Sequence, residues 1–158
     1  AERIAVYKLY DQLLPDGAES FGLLYPADAT PRPAFYAYQT VIDHFNALTQ
    51  AQLAQTETVN VVRLTHINDQ QTFVAWNRTE DSQILEIEAT TDKAYLIDQY
   101  GNTQIIRPQN GIFTLNLPEA ICEEQEGCPV GGNVSIVVQP AGDSEISVVG
   151  SDDALIFE

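Results

Sequence analysis

Basic residues are scarce in this chain. Seven lysines and arginines stand against 23 aspartates and glutamates in 158 residues, a formal charge of −16 and an isoelectric point near 4.1. Such a surface repels phosphate backbones and anionic lipid heads, which argues against nucleic-acid and membrane-surface roles. Apolar runs are short too. None reaches the ~18 residues of a membrane-spanning helix, and no secretory leader is visible, the chain reading as though it starts partway through something larger. There is no Gly-x-Ser-x-Gly elbow, no phosphate-cradling glycine loop, and no serine or cysteine set beside a base. Acyl transfer and nucleotide chemistry therefore lack their residues, and no cofactor is implied. Disorder is excluded as well, since 44% of the residues are apolar and 19% charged. At this length a core can form without staples.

Cysteine is nearly absent. Cys122 and Cys128 are the only two, in Cys-Glu-Glu-Gln-Glu-Gly-Cys-Pro. A zinc site needs about four ligands, and His44 and His66 lie far away in sequence. A disulfide closing the small loop is the expectation, with an oxidising compartment as its corollary; free thiols or a metal are the alternatives. The acids are scattered apart from Glu123, Glu124 and Glu126. They read as solubilising, with acid-ligated calcium as the alternative.

What is present falls into two parts, 1–50 and 57–158. Residues 3–10, Arg-Ile-Ala-Val-Tyr-Lys-Leu-Tyr, are β-branched and aromatic, as in a strand covered on both faces. Residues 11–33 hold prolines and glycines and read as an ordered loop. Pro31-Arg-Pro33 opens a helix over 33–49, its apolar stripe formed by Phe35, Tyr38, Val41, Ile42, Phe45 and Leu48. After a polar stretch at 49–56 the period drops to two. Strands are predicted at 58–67, 71–77, 83–89, 93–98, 103–107, 111–117, 134–139, 145–149 and 154–157, separated by turn signals such as Asn68-Asp69 and Asn110-Gly111. Many short strands at this spacing argue for an antiparallel β-sandwich of seven to nine strands. The fold class expected is therefore mainly β, a sandwich preceded by a strand–loop–helix segment. That leading segment is half of a βα unit without sister strands. Its apolar surface needs a partner, and packing of the helix on the sandwich is expected, with strand 3–10 joining a sheet edge or pairing with a second copy in a homodimer.

The segment Arg3-Ile-Ala-Val-Tyr-Lys-Leu-Tyr-Asp11 resembles the eighth strand of a (β/α)8-barrel glycoside hydrolase. Phe21-Gly-Leu-Leu, followed by Ala29-Thr-Pro-Arg-Pro-Ala-Phe-Tyr-Ala-Tyr-Gln39, resembles the loop and last helix of such a barrel. Downstream, Val74-Ala-Trp-Asn-Arg-Thr79, Ala94-Tyr-Leu-Ile-Asp-Gln-Tyr-Gly101, Gly111-Ile-Phe-Thr-Leu-Asn-Leu-Pro118 and Val130-Gly-Gly-Asn-Val-Ser-Ile-Val-Val138 are similar to the sandwich appended to bacterial members of that group. The resemblance implies a parent that cleaves glycosidic bonds with two carboxylates, roughly 5–5.5 Å apart in retaining enzymes. In that family they lie at the ends of the fourth and seventh strands, neither of which is in this sequence. The chain is thus expected to be inactive alone, an extracellular or cell-surface bacterial piece whose partner is the catalytic barrel of its own parent.

Residues weighed singly follow from this. Tyr10 and Asp11 sit where a barrel strand would end, at the catalytic face, and are candidate sugar-lining residues of an intact parent; anchoring the following loop is the alternative. Lys8 reads as a structural ion pair. Trp76 reads as core, with sugar stacking as the alternative, and Tyr95 and Tyr100 are similarly ambiguous between core and sugar stacking. Asp98 reads as a turn former and Gly131-Gly132 as structural. Asn77-Arg-Thr79 and Asn133-Val-Ser135 match the glycosylation acceptor pattern, which arises often by chance. The sandwich is expected to support the barrel. A carbohydrate-binding module and a protein-interaction domain are the competing readings.

Overall fold

Alternation along the strands decides which side chains meet. In the computed structural model, which describes residues 8–10, 13–14, 17–18, 22–120, 131–140, 142, 144–150 and 155–158, the order is β1 (Lys8–Tyr10), β2 (Leu13–Leu14), β3 (Gly17–Ala18), β4 (Gly22–Leu24), α1 (Pro33–His44), β5 (Leu48–Gln55), β6 (Val59–His66), β7 (Gln71–Asn77), β8 (Gln83–Glu88), β9 (Ala94–Asp98), β10 (Thr103–Ile106), β11 (Ile112–Leu117), β12 (Ser135–Gln139) and β13 (Ile146–Val148). Six strands form one antiparallel sheet in the order β10-β9-β12-β7-β6-β5, and three form a second, β11-β8-β13. The fold is mainly β, with antiparallel sheets face to face.

The two sheets meet through one set of alternating residues. Val59, Val61, Phe73, Ala75 and Val137 come from the larger sheet, and Leu85, Ile87, Phe113, Leu115 and Val148 from the smaller; all are buried in one cluster. The intervening residues of the larger sheet form a second apolar layer on its other face, with Leu64, Val74, Ile97, Ile136 and Val138 buried there. A sheet with both faces apolar reads as continuous hydrophobic sequence, which explains Ser-Ile-Val-Val-Gln in β12 and Gln-Thr-Phe-Val-Ala-Trp-Asn in β7. By contrast, Gln-Ile-Leu-Glu-Ile-Glu in β8 alternates and has one wet face.

Several expectations need correction. The helix stops at His44, not at 49, because Ala47 takes a left-handed φ of 52° and turns the chain. Ile42, placed in the apolar stripe, is 55% exposed, and Leu48 begins a strand. The polar stretch 49–56 is the edge strand β5, paired to β6 from Leu48↔His66 to Gln55↔Asn60 with a bulge between Leu48 and Gln50. Within 11–33 the loop contains the β2–β3 hairpin and β4. Strand 154–157 is not observed among its described residues, although Leu53 and Glu158 exchange two backbone hydrogen bonds of 3.2 and 3.1 Å. Finally, β1 does not join either face-to-face sheet. It pairs in parallel with β4, Lys8 opposite Gly22 and Tyr10 opposite Leu24.

Candidate functional site

The residues singled out as sugar-lining or bridging divide sharply. Tyr10 ends β1, opposite Leu24. Asp11, Cys122 and Cys128 lie outside the described residues. Of the other candidates, Asp98 and Tyr100 lie together where α1 meets the turn between β9 and β10, while Trp76 and Tyr95 lie elsewhere.

That meeting is held at three points. Thr40 is buried on α1, and a Cβ on Gly101 would stand 3.1 Å from its hydroxyl oxygen; Gly101 has a φ of 84° and no side chain to obstruct the approach. At the other end of the helix, Phe45 packs against the second apolar layer. The Ile67 N–H donates to the Ala47 carbonyl at 2.9 Å, and His66 Nδ1 lies 3.0 Å from the Asn46 carbonyl oxygen. A carbonyl only accepts, so Nδ1 carries the proton, and in the neutral ring Nε2 accepts from the Thr72 hydroxyl at 2.9 Å. Buried His66 therefore ties the turn after α1 to β7.

The β9–β10 turn is built by Asp98. Its Oδ1 accepts the N–H groups of Tyr100 and Asn102 at 2.8 and 3.0 Å, and its Oδ2 accepts Asn102 Nδ2 at 2.7 Å. Partial burial pulls the carboxyl upward, but the Asn102 amide and the two backbone donors outweigh it and hold the group below its ordinary value. A carboxylate lowered on folding adds stability above its unfolded range and loses that contribution as pH falls through the folded value. In an NMR titration the Tyr100 and Asn102 amide protons should report a midpoint below the ordinary aspartate range. A midpoint at or above that range would contradict the turn geometry.

Two grooves flank this turn and share Asn102. One, about 420 Å³, is lined by Asp98, Thr103, Gln104, Asn133 and Ser135 together with the apolar Leu96, Ile97, Pro118 and Val134. The other, about 400 Å³, lies between Pro31, Pro33 and Tyr36 on one side and Tyr100 on the other. Tyr36 is 43% and Tyr100 45% exposed. The Tyr36 ring is braced edge-on by Phe35, centroids 5.7 Å apart at 86°. Nearby, Gln99 Nε2 donates to Asn133 Oδ1 at 3.1 Å.

Other readings are settled locally. Asn77 is fully buried; Nδ2 donates to the Asp81 carbonyl at 2.7 Å and Oδ1 accepts from Thr79 N and Oγ1. Its amide is occupied in a turn, which explains Asn-Arg-Thr without glycosylation. Trp76 is half-buried against the second apolar layer, so it is a packing residue at the margin of the core. Among the described residues no three His, Cys, Asp or Glu side chains gather into a metal-binding group, and no helix is long and apolar enough to cross a membrane. Sequence reasoning missed Tyr36 and Asn102 as groove residues. Tyr36 and Tyr100 are far apart in the chain, and only the contact of α1 with the β9–β10 turn joins them. No family model, no curated protein and no solved structure matches this chain.

Proposed function

We propose that this chain is a non-catalytic C-terminal region of a glycoside hydrolase, whose β-sandwich packs on and supports a catalytic (β/α)8 barrel. The supporting observation is the junction. A parallel pair, β1 with β4, precedes a helix clamped to the sandwich by Thr40, Phe45 and the Asn46–His66 contact. Parallel pairing belongs to α/β architectures and is foreign to an antiparallel sandwich. A helix shared between a barrel and a sandwich transmits rigidity from one to the other, since its two faces serve two cores. Exposed Ile42 remains on α1 for the barrel side.

Hydrolysis of a glycosidic bond needs an acid and a nucleophile or base at a fixed separation. No such pair is identified among the described residues. The isolated chain should give no turnover above buffer with a panel of aryl glycosides. Turnover that disappears when one carboxylate is replaced by its amide would refute the reading. So would a coding region whose upstream sequence encodes no barrel with carboxylates at its strand ends.

A further inference from the structure

Two grooves that share Asn102 flank the β9–β10 turn, and their chemistry is selective. Neither is lined by a lysine or arginine, which removes the groups that bind phosphate, sulfate or carboxylate. A cation is not favoured either, because both oxygens of Asp98 already accept hydrogen bonds from the turn. Beside the apolar Leu96, Ile97, Pro118 and Val134, the grooves offer neutral groups of two kinds. Tyr36 and Tyr100 offer aromatic surface beside two proline rings. Asn102, Asn133, Gln104 and Thr103 offer amide and hydroxyl groups that both donate and accept. Each volume falls within the roughly 300–1,000 Å³ range of small-ligand sites.

A ligand matching both kinds needs apolar C–H faces and a periphery of hydroxyls. We propose that the two grooves bind a neutral oligosaccharide, one sugar face resting on Tyr36 or Tyr100 and the adjoining hydroxyls meeting the Asn102 and Asn133 amides. Pre-organisation favours this occupant. Asp98 fixes the Asn102 amide through its Nδ2, leaving Oδ1 directed to other partners, and Gln99 fixes Asn133 through its Oδ1, leaving Nδ2. Amides held by one end lose little freedom when the other end engages a ligand. The Thr40–Gly101 approach sets the helix against the turn and so sets the two tyrosines across one gap. A proline-rich peptide would use the same aromatic surface, but it presents few donors to the amides.

Binding here is independent of the supporting role, so a chain without any parent barrel would still show it. Affinity electrophoresis of the full chain through gels containing mixed-linkage β-glucan, xylan, galactomannan or starch should show retardation by at least one of them. Tyr100→Ala and Tyr36→Ala should each weaken that binding on the order of tenfold. Tyr100→Phe, which keeps the ring, should lose less. Tyr95→Ala, on the strand outside both grooves, should bind as the parent chain does. Near-UV circular dichroism checks that each variant is folded, and if Tyr100→Ala is not, Tyr36→Ala decides. Unretarded migration in all four gels overturns the assignment, as does undiminished binding by a folded Tyr36→Ala Tyr100→Ala double variant. Tighter binding of a proline-rich peptide than of any polysaccharide overturns it too.

Discussion

Replacing Gly131 by alanine should cost about 3–5 kcal/mol, a large part of a typical domain stability of roughly 5–15 kcal/mol. Two costs combine. Gly131 has a φ of 86°, where a side chain is strained by about 1–3 kcal/mol. An added Cβ would also overlap the backbone carbonyl oxygen of Asn77 and stand 2.7 Å from Trp76 Cδ1. Overpacking of this kind costs about 1–3 kcal/mol where neighbours can yield, and here one neighbour is backbone. The Asn77 carbonyl cannot retreat cheaply, because it accepts the Gly132 N–H at 2.7 Å and its own side chain is locked in the Thr79–Asp81 turn. At roughly 2–4 °C per kcal/mol for a chain of this size, the melting temperature should fall by about 6–20 °C. A Gly131→Ala chain melting within about 2 °C of the parent would show that the close approach of 131 to β7 is wrong.

The second large effect belongs to Gln139. Its side chain is fully buried and makes four hydrogen bonds. Oε1 accepts from Thr90 N at 3.0 Å and Thr90 Oγ1 at 2.9 Å, while Nε2 donates to the Glu88 carbonyl at 3.1 Å and to Ser144 Oγ at 2.9 Å. Gln139 ends β12 in the larger sheet, and Glu88 ends β8 in the smaller, so one amide links the two layers. Gln139→Leu keeps the volume but removes every partner. Each buried group left without a partner costs about 1–3 kcal/mol, and a total loss on the order of 3–5 kcal/mol is expected from urea denaturation. A loss below about 1 kcal/mol would mean that water replaces the amide and that this end of the sandwich is wet.

Strands whose two faces differ were legible in the sequence. β8 and β11 carry Leu85, Ile87, Phe113 and Leu115 inward and acids, Thr114 or Asn116 outward, and their alternation marks them. β7 was legible for another reason, its run of β-branched and aromatic residues bounded by turn formers. β5 was not. Gln-Ala-Gln-Leu-Ala-Gln lies at a sheet edge and buries little beyond Ala54, so neither period nor propensity distinguishes it from a polar connection. The helix end was misplaced because Phe45 and Leu48 continue a helical period past His44, where the helix ends. The groove had no sequence signal at all. Asp98 could be read as a turn former from Asp-Gln-Tyr-Gly, but its neighbour across the groove, Tyr36, is placed by tertiary contact alone.

The position of β12 bears on how the chain acquires its shape. It lies between β7 and β9, pairing Ile136 with Val74 on one side and with Ile97 on the other. Until residues 135–139 arrive, β7 and β9 each present a bare edge, and the β9–β10 pair has no attachment to the rest of its sheet. Closing that gap joins segments distant in sequence, and the loop-closure cost falls before any contact repays it, which slows folding. During synthesis the earlier strands leave the ribosome first and wait, apolar on both faces, for the strand that completes them. Unpaired strand edges and wet apolar faces of that kind are what make partly folded chains prone to aggregate.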